Sequence, residues 1–153
     1  LARSLRMLYQ EHDSLGDFFK THVREGDSHL GHSFQEFKRY LLNNGLPLRA
    51  GKHFGDPSKG SACKRLIMYT RWMVRTNAEG IDFGLWDIDP ALLSLPLDVH
   101  SGRVARSLGL LKRKQNDWKA VEELDQSIRK ISPLDPARLD YALFGLGVYE
   151  GWK

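Results

Sequence analysis

Cysteine occurs once in the 153 residues, at Cys63. A single thiol excludes an internal disulfide framework, a four-cysteine zinc site and a cysteine-held iron–sulfur cluster within this chain. That scarcity fits a reducing compartment. Long apolar runs are missing too. No stretch approaches the roughly twenty apolar residues of a membrane span, and the opening Leu1-Ala2-Arg3-Ser4-Leu5-Arg6 lacks the apolar core of a secretory signal. The expectation is a cytoplasmic protein with no membrane partner. Strand pairs joined by a convincing turn are absent, as are internal repeats. The first residue is not methionine and already lies in an apolar-periodic stretch, so the chain is expected to lack N-terminal helices of a longer polypeptide, with that part as a partner of what is present.

What remains is 41% hydrophobic and 27% charged, enough apolar material for one core and a single domain over residues 1–153. Helical spacing dominates. Leu1, Leu5 and Leu8 open the chain, Phe18, Phe19 and Val23 follow, and Leu30, Phe34, Phe37, Leu41 and Leu42 line a third helix that Asn43-Asn44-Gly45 ends. Residues 46–60 turn to Pro, Gly, Lys and His without period and read as a long basic loop. Residues 61–75 then read as a central, largely buried helix, with a polar turn over 77–84 behind it. Asp89-Pro90 starts a short turn, residues 95–97 read as extended, and Asp98 is placed to cap a helix carrying Val104, Leu108 and Leu111. Asn116 reads as the cap of the next helix, and Asp135-Pro136 opens the last. The fold class is all-α.

Positive charge is concentrated rather than spread. The chain carries a formal charge of +4 and a pI near 9.3, which favours a polyanionic partner. Between residues 48 and 75, seven basic residues (Arg49, Lys52, Lys59, Lys64, Arg65, Arg71, Arg75) face the single acid Asp56. A second block, Arg103, Arg106, Lys112, Arg113 and Lys114, contains no acid. Charge alone is equally compatible with a solvated surface.

Several familiar chemistries fail on inspection. Residues 55–61 contain two glycines and a lysine, but Ser61-Ala62 stands where a nucleotide-binding loop needs Lys followed by Ser or Thr. His29, His32 and Glu36 share helical spacing, yet a polar surface is the plainer reading than a metal site. Cys63 has no sequence partner that would activate it and reads as a buried thiol. Lys64 differs. It opens an apolar helix beside Arg65 and after Lys59, where burial, neighbouring charge and the helix dipole all work against an ammonium, and the neutral amine is the nucleophilic form. Asp98 is the candidate acid to assist it. On spacing alone the plainer reading is a surface lysine and a helix cap.

The segment Leu97-Asp98-Val99-His100-Ser101-Gly102-Arg103-Val104-Ala105-Arg106 resembles the aspartate-bearing segment of the helix-hairpin-helix DNA glycosylase superfamily. Gly60-Ser61-Ala62-Cys63-Lys64-Arg65-Leu66 is similar to the turn and helix start that present the Schiff-base lysine in bifunctional members. Leu139-Asp140-Tyr141-Ala142-Leu143-Phe144-Gly145-Leu146-Gly147 resembles the closing helix. Residues 63–75, with Gly84-Leu85-Trp86 and Pro96-Leu97-Asp98, look like a little-characterised bacterial family related to this superfamily, whose members are longer at the N-terminus. The usual hairpin is replaced by residues 55–61. Lys64 and Asp98 stand 34 residues apart. The long connection and altered hairpin are similar to the archaeal oxidised-guanine glycosylase branch.

The resemblance implies a glycosylase-like helical domain that flips a damaged base from double-stranded DNA, 8-oxoguanine by analogy, and removes it in base excision repair. It further implies AP lyase activity with no cofactor and no metal, in a nucleoid-associated protein. Lys64 would be the nucleophile and Asp98 the stabilising carboxylate. Backbone N–H groups around Gly60, Ser61 and Ala62, with Lys59, Arg65, His100 and Arg103, would hold phosphates, and Trp72 and Trp86 would stack on the base, although both also read as core. The alternative is a non-catalytic DNA-binding module that keeps the fold, in which Lys64 contacts phosphate; structured RNA presents the same phosphates.

Overall fold

The computed structural model describes residues 1–76 and 81–151. Much of the polar turn expected over 77–84 therefore lies outside the described residues. The chain forms α1 (Ala2–Glu11), α2 (Leu15–Thr21), α3 (Gly31–Asn43), α4 (Lys64–Val74), α5 (Val99–Ser107), α6 (Trp118–Arg129) and α7 (Asp140–Val148). Short 3-10 turns lie at Leu48–His53, Pro57–Lys59, Pro90–Leu92 and Pro136–Leu139. Among the described residues β pairing is limited to one isolated bridge, Thr76 to Phe83. The all-α expectation holds. No helix among the described residues is long and apolar enough to cross a membrane.

Local chemistry explains the boundaries. Ser14 starts α2 by accepting the Asp17 N–H at 2.9 Å. Asp117, not Asn116, caps α6, accepting the Ala120 N–H at 3.1 Å; Asn116 faces elsewhere, as shown below. The loop over 46–60 is more ordered than its composition indicates, because Asp56-Pro57 fixes a 3-10 turn in which Ser58 N–H and Oγ both donate to the Asp56 carboxylate. α4 begins only at Lys64, since Cys63 adopts a left-handed conformation with φ 50° and turns the chain into the helix. Pro136 opens a 3-10 turn, and the last α-helix starts at Asp140.

The buried apolar side chains form one cluster. Phe18, Phe19, Phe34 and Phe37 meet edge to face between α2 and α3. α6 contributes Val121, Leu124 and Ile128, all fully buried. α5 packs on α7, where Gly147 lets the helices close: a Cβ there would lie 3.1 Å from both the His100 carbonyl and a Val104 methyl. Trp86 belongs to this core, with its ring 5.7 Å from Phe19 and 5.2 Å from Tyr69. It lies directly on Gly16, where a Cβ would meet the indole at 2.4 Å. Gly16→Ala is therefore expected to destabilise the protein by about 1–3 kcal/mol through overpacking, read as a lower urea midpoint at unchanged slope. An unchanged midpoint would show that the indole moves aside freely.

Candidate active site

α4 carries Lys64, Met68 and Arg71 on one face, since helical positions three and four apart stack in a row, and Arg75 follows just past its end. The extended segment over 93–97 brings Asp98 against the start of that row. Lys64 Nζ donates to Asp98 Oδ2 at 3.0 Å. The two residues singled out as a catalytic pair thus meet across 34 residues of chain. The lysine side chain keeps 44% of its exposure and the carboxylate 14%, so Lys64 sits less deeply than expected, at a mouth rather than in the core.

The other oxygen of Asp98 is occupied. Oδ1 accepts the Ser101 N–H at 2.8 Å while Ser101 Oγ accepts the Asp98 N–H at 2.9 Å, a reciprocal capping box at the start of α5. Burial works to raise the Asp98 carboxyl, but the Ser101 N–H and the Lys64 ammonium outweigh it and hold the group below the ordinary aspartate range.

Beside this pair opens a cavity of about 260 Å³ lined by Lys64, Asp98, Arg71, Trp72, Asp140 and Tyr141, with Met68, Pro96 and Phe144 completing its wall. Arg71 is 4% exposed. It pairs with Asp140, donates to the Tyr141 hydroxyl at 2.6 Å and to Asp82 at 3.3 Å, and lies over the Tyr141 ring at 4.5 Å. Its buried Nε has no hydrogen-bond partner among the described residues. Arg75 continues the network, donating to Asp82 at 2.6 Å and to both oxygens of Asp135 at 3.0 Å. Burial pushes the Asp140 carboxyl up, against the pull of Arg71 and helped by the nearby Asp98 and Asp82 carboxylates. Sequence reasoning missed Arg71 and Asp140 as site residues. The spacing of Arg71 seven residues after Lys64 was the available signal, and Asp140 already stood inside the closing-helix resemblance.

The remaining expected site residues divide. Trp72 lines the cavity, whereas Trp86 is core and does not reach it. The Gly60 and Ser61 N–H groups donate to the carbonyls of Pro57 and Asp56, at 2.9 and 3.1 Å, so a phosphate would find them occupied. Ala62 is half-buried beside them. Arg103 donates to the Gly147 carbonyl at 3.3 Å and shares a 3.5 Å contact with His100, which itself packs on Phe144. Both therefore brace α5 against α7. Lys59 and Arg65 are exposed, as are Arg49 and Lys52. Arg71 and Arg75 leave the basic surface, because carboxylates neutralise them inside. Arg65, Lys64 and Lys52 also border a larger, mainly apolar groove of about 560 Å³ that includes Phe37, Phe54 and Tyr69.

The other candidates resolve locally. His29 lies 3.7 Å from Glu122 and His32 3.9 Å from Glu36, and no metal-ligating cluster occurs among the described residues. Cys63 is buried, and burial pushes its thiol up to about 11, which disfavours a thiolate.

Residues 1–149 match the family model described as "Protein of unknown function (DUF2400)", and the chain belongs to that family. Neither curated proteins nor solved structures gave a match.

The geometry of Asp98 fixes a pH dependence. Its folded-state value lies below the unfolded one, so its stabilisation is complete above the ordinary aspartate value of about 3.9 and is lost as the pH falls through the lowered folded value. Asp98→Ala is expected to cost about 1 kcal/mol at neutral pH through loss of the cap. The gap from wild type should shrink in acid, below the ordinary aspartate value. A gap that stays constant in urea titrations across that range would contradict a charged cap.

Proposed function

We propose that this member of the DUF2400 family is a DNA repair glycosylase with AP lyase activity, acting on oxidised guanine in double-stranded DNA. The observation that carries the reading is the Lys64–Asp98 contact of 3.0 Å at the mouth of a polar-and-aromatic cavity with room for a single base. A glycosylase must hold an extruded base, clamp the strand and bring a nucleophile to the anomeric carbon. Trp72, Tyr141 and Phe144 supply aromatic lining for the base, and Arg71 and Asp140 supply polar lining. Exposed Lys59, Arg65 and Lys52, with the first turn of α4, which no side chain caps, supply positive potential for the strand.

In the reaction, the Lys64 ammonium first gives a proton to water, and the resulting amine forms a bond to the sugar C1′ while the C1′–N bond to the base breaks. The electron pair leaves with the base, which takes up the proton the amine sheds. Opening of the sugar gives an iminium whose positive charge faces the Asp98 carboxylate, held ionised by Ser101 and by the site itself. The O4′ freed by ring opening takes up a proton, water accepts the C2′ proton, and the C3′–O electron pair leaves with the phosphate, which nicks the strand; hydrolysis of the iminium returns Lys64. The assignment of 8-oxoguanine follows the resemblance to the archaeal branch, and a donor-and-acceptor wall of Arg71 and Asp140 is compatible with an oxidised purine edge.

Borohydride trapping on duplexes carrying 8-oxoguanine or an abasic site tests the reading. Wild type is expected to give a covalent adduct on both and Lys64→Ala on neither, with duplex affinity falling less than roughly tenfold. An adduct on the abasic duplex alone would leave a lyase without glycosylase activity. No adduct on either, with salt-sensitive binding intact, would overturn the lyase reading in favour of a monofunctional glycosylase or a non-catalytic DNA-binding module.

A further inference from the structure

Asp98 is fixed to α5 by its capping box, but that box says nothing about its distance from α4, where Lys64 resides. The link between the two comes from the turn into α6. Trp118 N–H donates to the carbonyl of Gly60 at 3.0 Å, tying this turn to the segment that leads into Lys64. Two residues earlier, Asn116 Nδ2 donates to the carbonyl of Asp98 at 3.0 Å. The same Asn116 accepts from Arg106 Nη2 at 2.6 Å, and Arg106 Nε donates to the Arg113 carbonyl at 2.7 Å, which fixes the amide in orientation. Residues 116–118 therefore bond to both segments that present the pair.

α6 also holds the chain that runs up to Asp98. Residues 93–97 are all buried and lie outside any helix or sheet, so their polar backbone groups need partners from side chains. Asp125 accepts from Ser94 Oγ at 2.5 Å and from the Leu95 N–H at 3.4 Å. One turn on, Arg129 donates to the carbonyls of Ala91 and Leu93 and lies 3.5 Å from Asp125.

We propose that Asn116 is a positioning residue for the Lys64–Asp98 pair, with Asp125 and Arg129 anchoring the approach to Asp98 from the same helix. The side chain of Asn116 bonds neither Lys64 nor the Asp98 carboxylate, so it acts through the Asp98 main chain. Without it the Asp98 carbonyl still accepts the Gly102 N–H at 2.9 Å, so the variant keeps a satisfied backbone and a folded α5. What it loses is the bond that ties the Asp98 end of α5 to the turn held against Gly60, while Arg106 keeps its bond to the Arg113 carbonyl farther along α5.

The kinetic arm of the test rests on the lyase reading, and the second arm does not. In single-turnover trapping at saturating abasic duplex, Asn116→Ala is expected to lower the rate about tenfold, as small displacements of reacting groups do, with affinity for a tetrahydrofuran abasic analogue unchanged. Asn116→Gln, which keeps a donor amide, should recover part of the rate. Independently of activity, the carbon-13 signal of the Asp98 carboxyl can be titrated. The groups that face it are Lys64, Ser101 and Asp140. Asn116→Ala is expected to move its midpoint up toward that of a free aspartate as the Lys64 contact loosens. Asp125→Asn should move it up as well, whereas mere removal of the negative charge at Asp125 would move it down. A folded Asn116→Ala protein with an unchanged Asp98 titration overturns the proposal, whatever the wild-type activity. If wild type gives no adduct while the titration shifts as expected, the lyase reading fails and the positioning role stands.

Discussion

A carboxylate has two oxygens, and in Asp98 they face different parts of the molecule. Oδ1 closes the capping box that starts α5, and Oδ2 meets the Lys64 ammonium of α4. The orientation of α5 and the presence of a charged pair at the cavity are therefore one arrangement. Moving α5 withdraws the carboxylate, and α7 moves with α5 because Gly147 brings the two helices into contact. The lining from α4, from the segment that leads into α5 and from α7 thus comes together around this side chain and the contacts behind it. The opposing influences on Asp98, burial against a backbone N–H and an ammonium, resolve toward the charged form, which is the form that holds both contacts.

The same logic governs where the basic residues ended up. A run of seven cations over residues 48–75 reads as a surface for phosphate, but α4 winds two of them inward. Arg71 sits on the row that begins at Lys64, Arg75 follows just past the end of α4, and carboxylates from three distant places, Asp82, Asp135 and Asp140, meet them there. Of the remaining cations, Lys64 stands at the mouth of the cavity and Lys52, Lys64 and Arg65 border the larger groove beside it. The sum of charges was correct and its location was not, because charge counting along the chain carries no information about which helical face a residue occupies.

Much else was legible. Apolar spacing pointed to each of the seven described helices: α6 buries one stripe with a period of about 3.6, whereas α7 is apolar on nearly every side and shows no such stripe. The Lys64–Asp98 meeting was legible through resemblance, not through spacing. The misses have local causes. Asn116 and Asp117 are both good caps, and only the backbone conformation decides which one turns its side chain to the first N–H groups. Trp72 and Trp86 are equivalent as sequence, yet Trp86 falls over Gly16 while Trp72 turns toward Lys64. Gly60 and Ser61 looked free to hold a phosphate because the 3-10 turn that takes up their N–H groups is set by Asp56 and Pro57, a pairing visible only in three dimensions.

The buried network also bears on what the cavity is for. Arg71, Arg75, Asp82, Asp135 and Asp140 are largely withdrawn from water, and each charge loses hydration on burial. Apolar residues of similar volume are often as stabilising as such a cluster, or more so. Stability alone therefore gives no reason to put two guanidinium groups and three carboxylates here. Position does: Arg71 and Asp140 line the cavity beside Lys64 and Asp98, so the network gives that cavity a wall of polar side chains held in fixed places. Apolar residues would leave a cavity selecting by shape alone. A buried polar wall disfavours any occupant that leaves its groups unpaired, which an apolar wall does not.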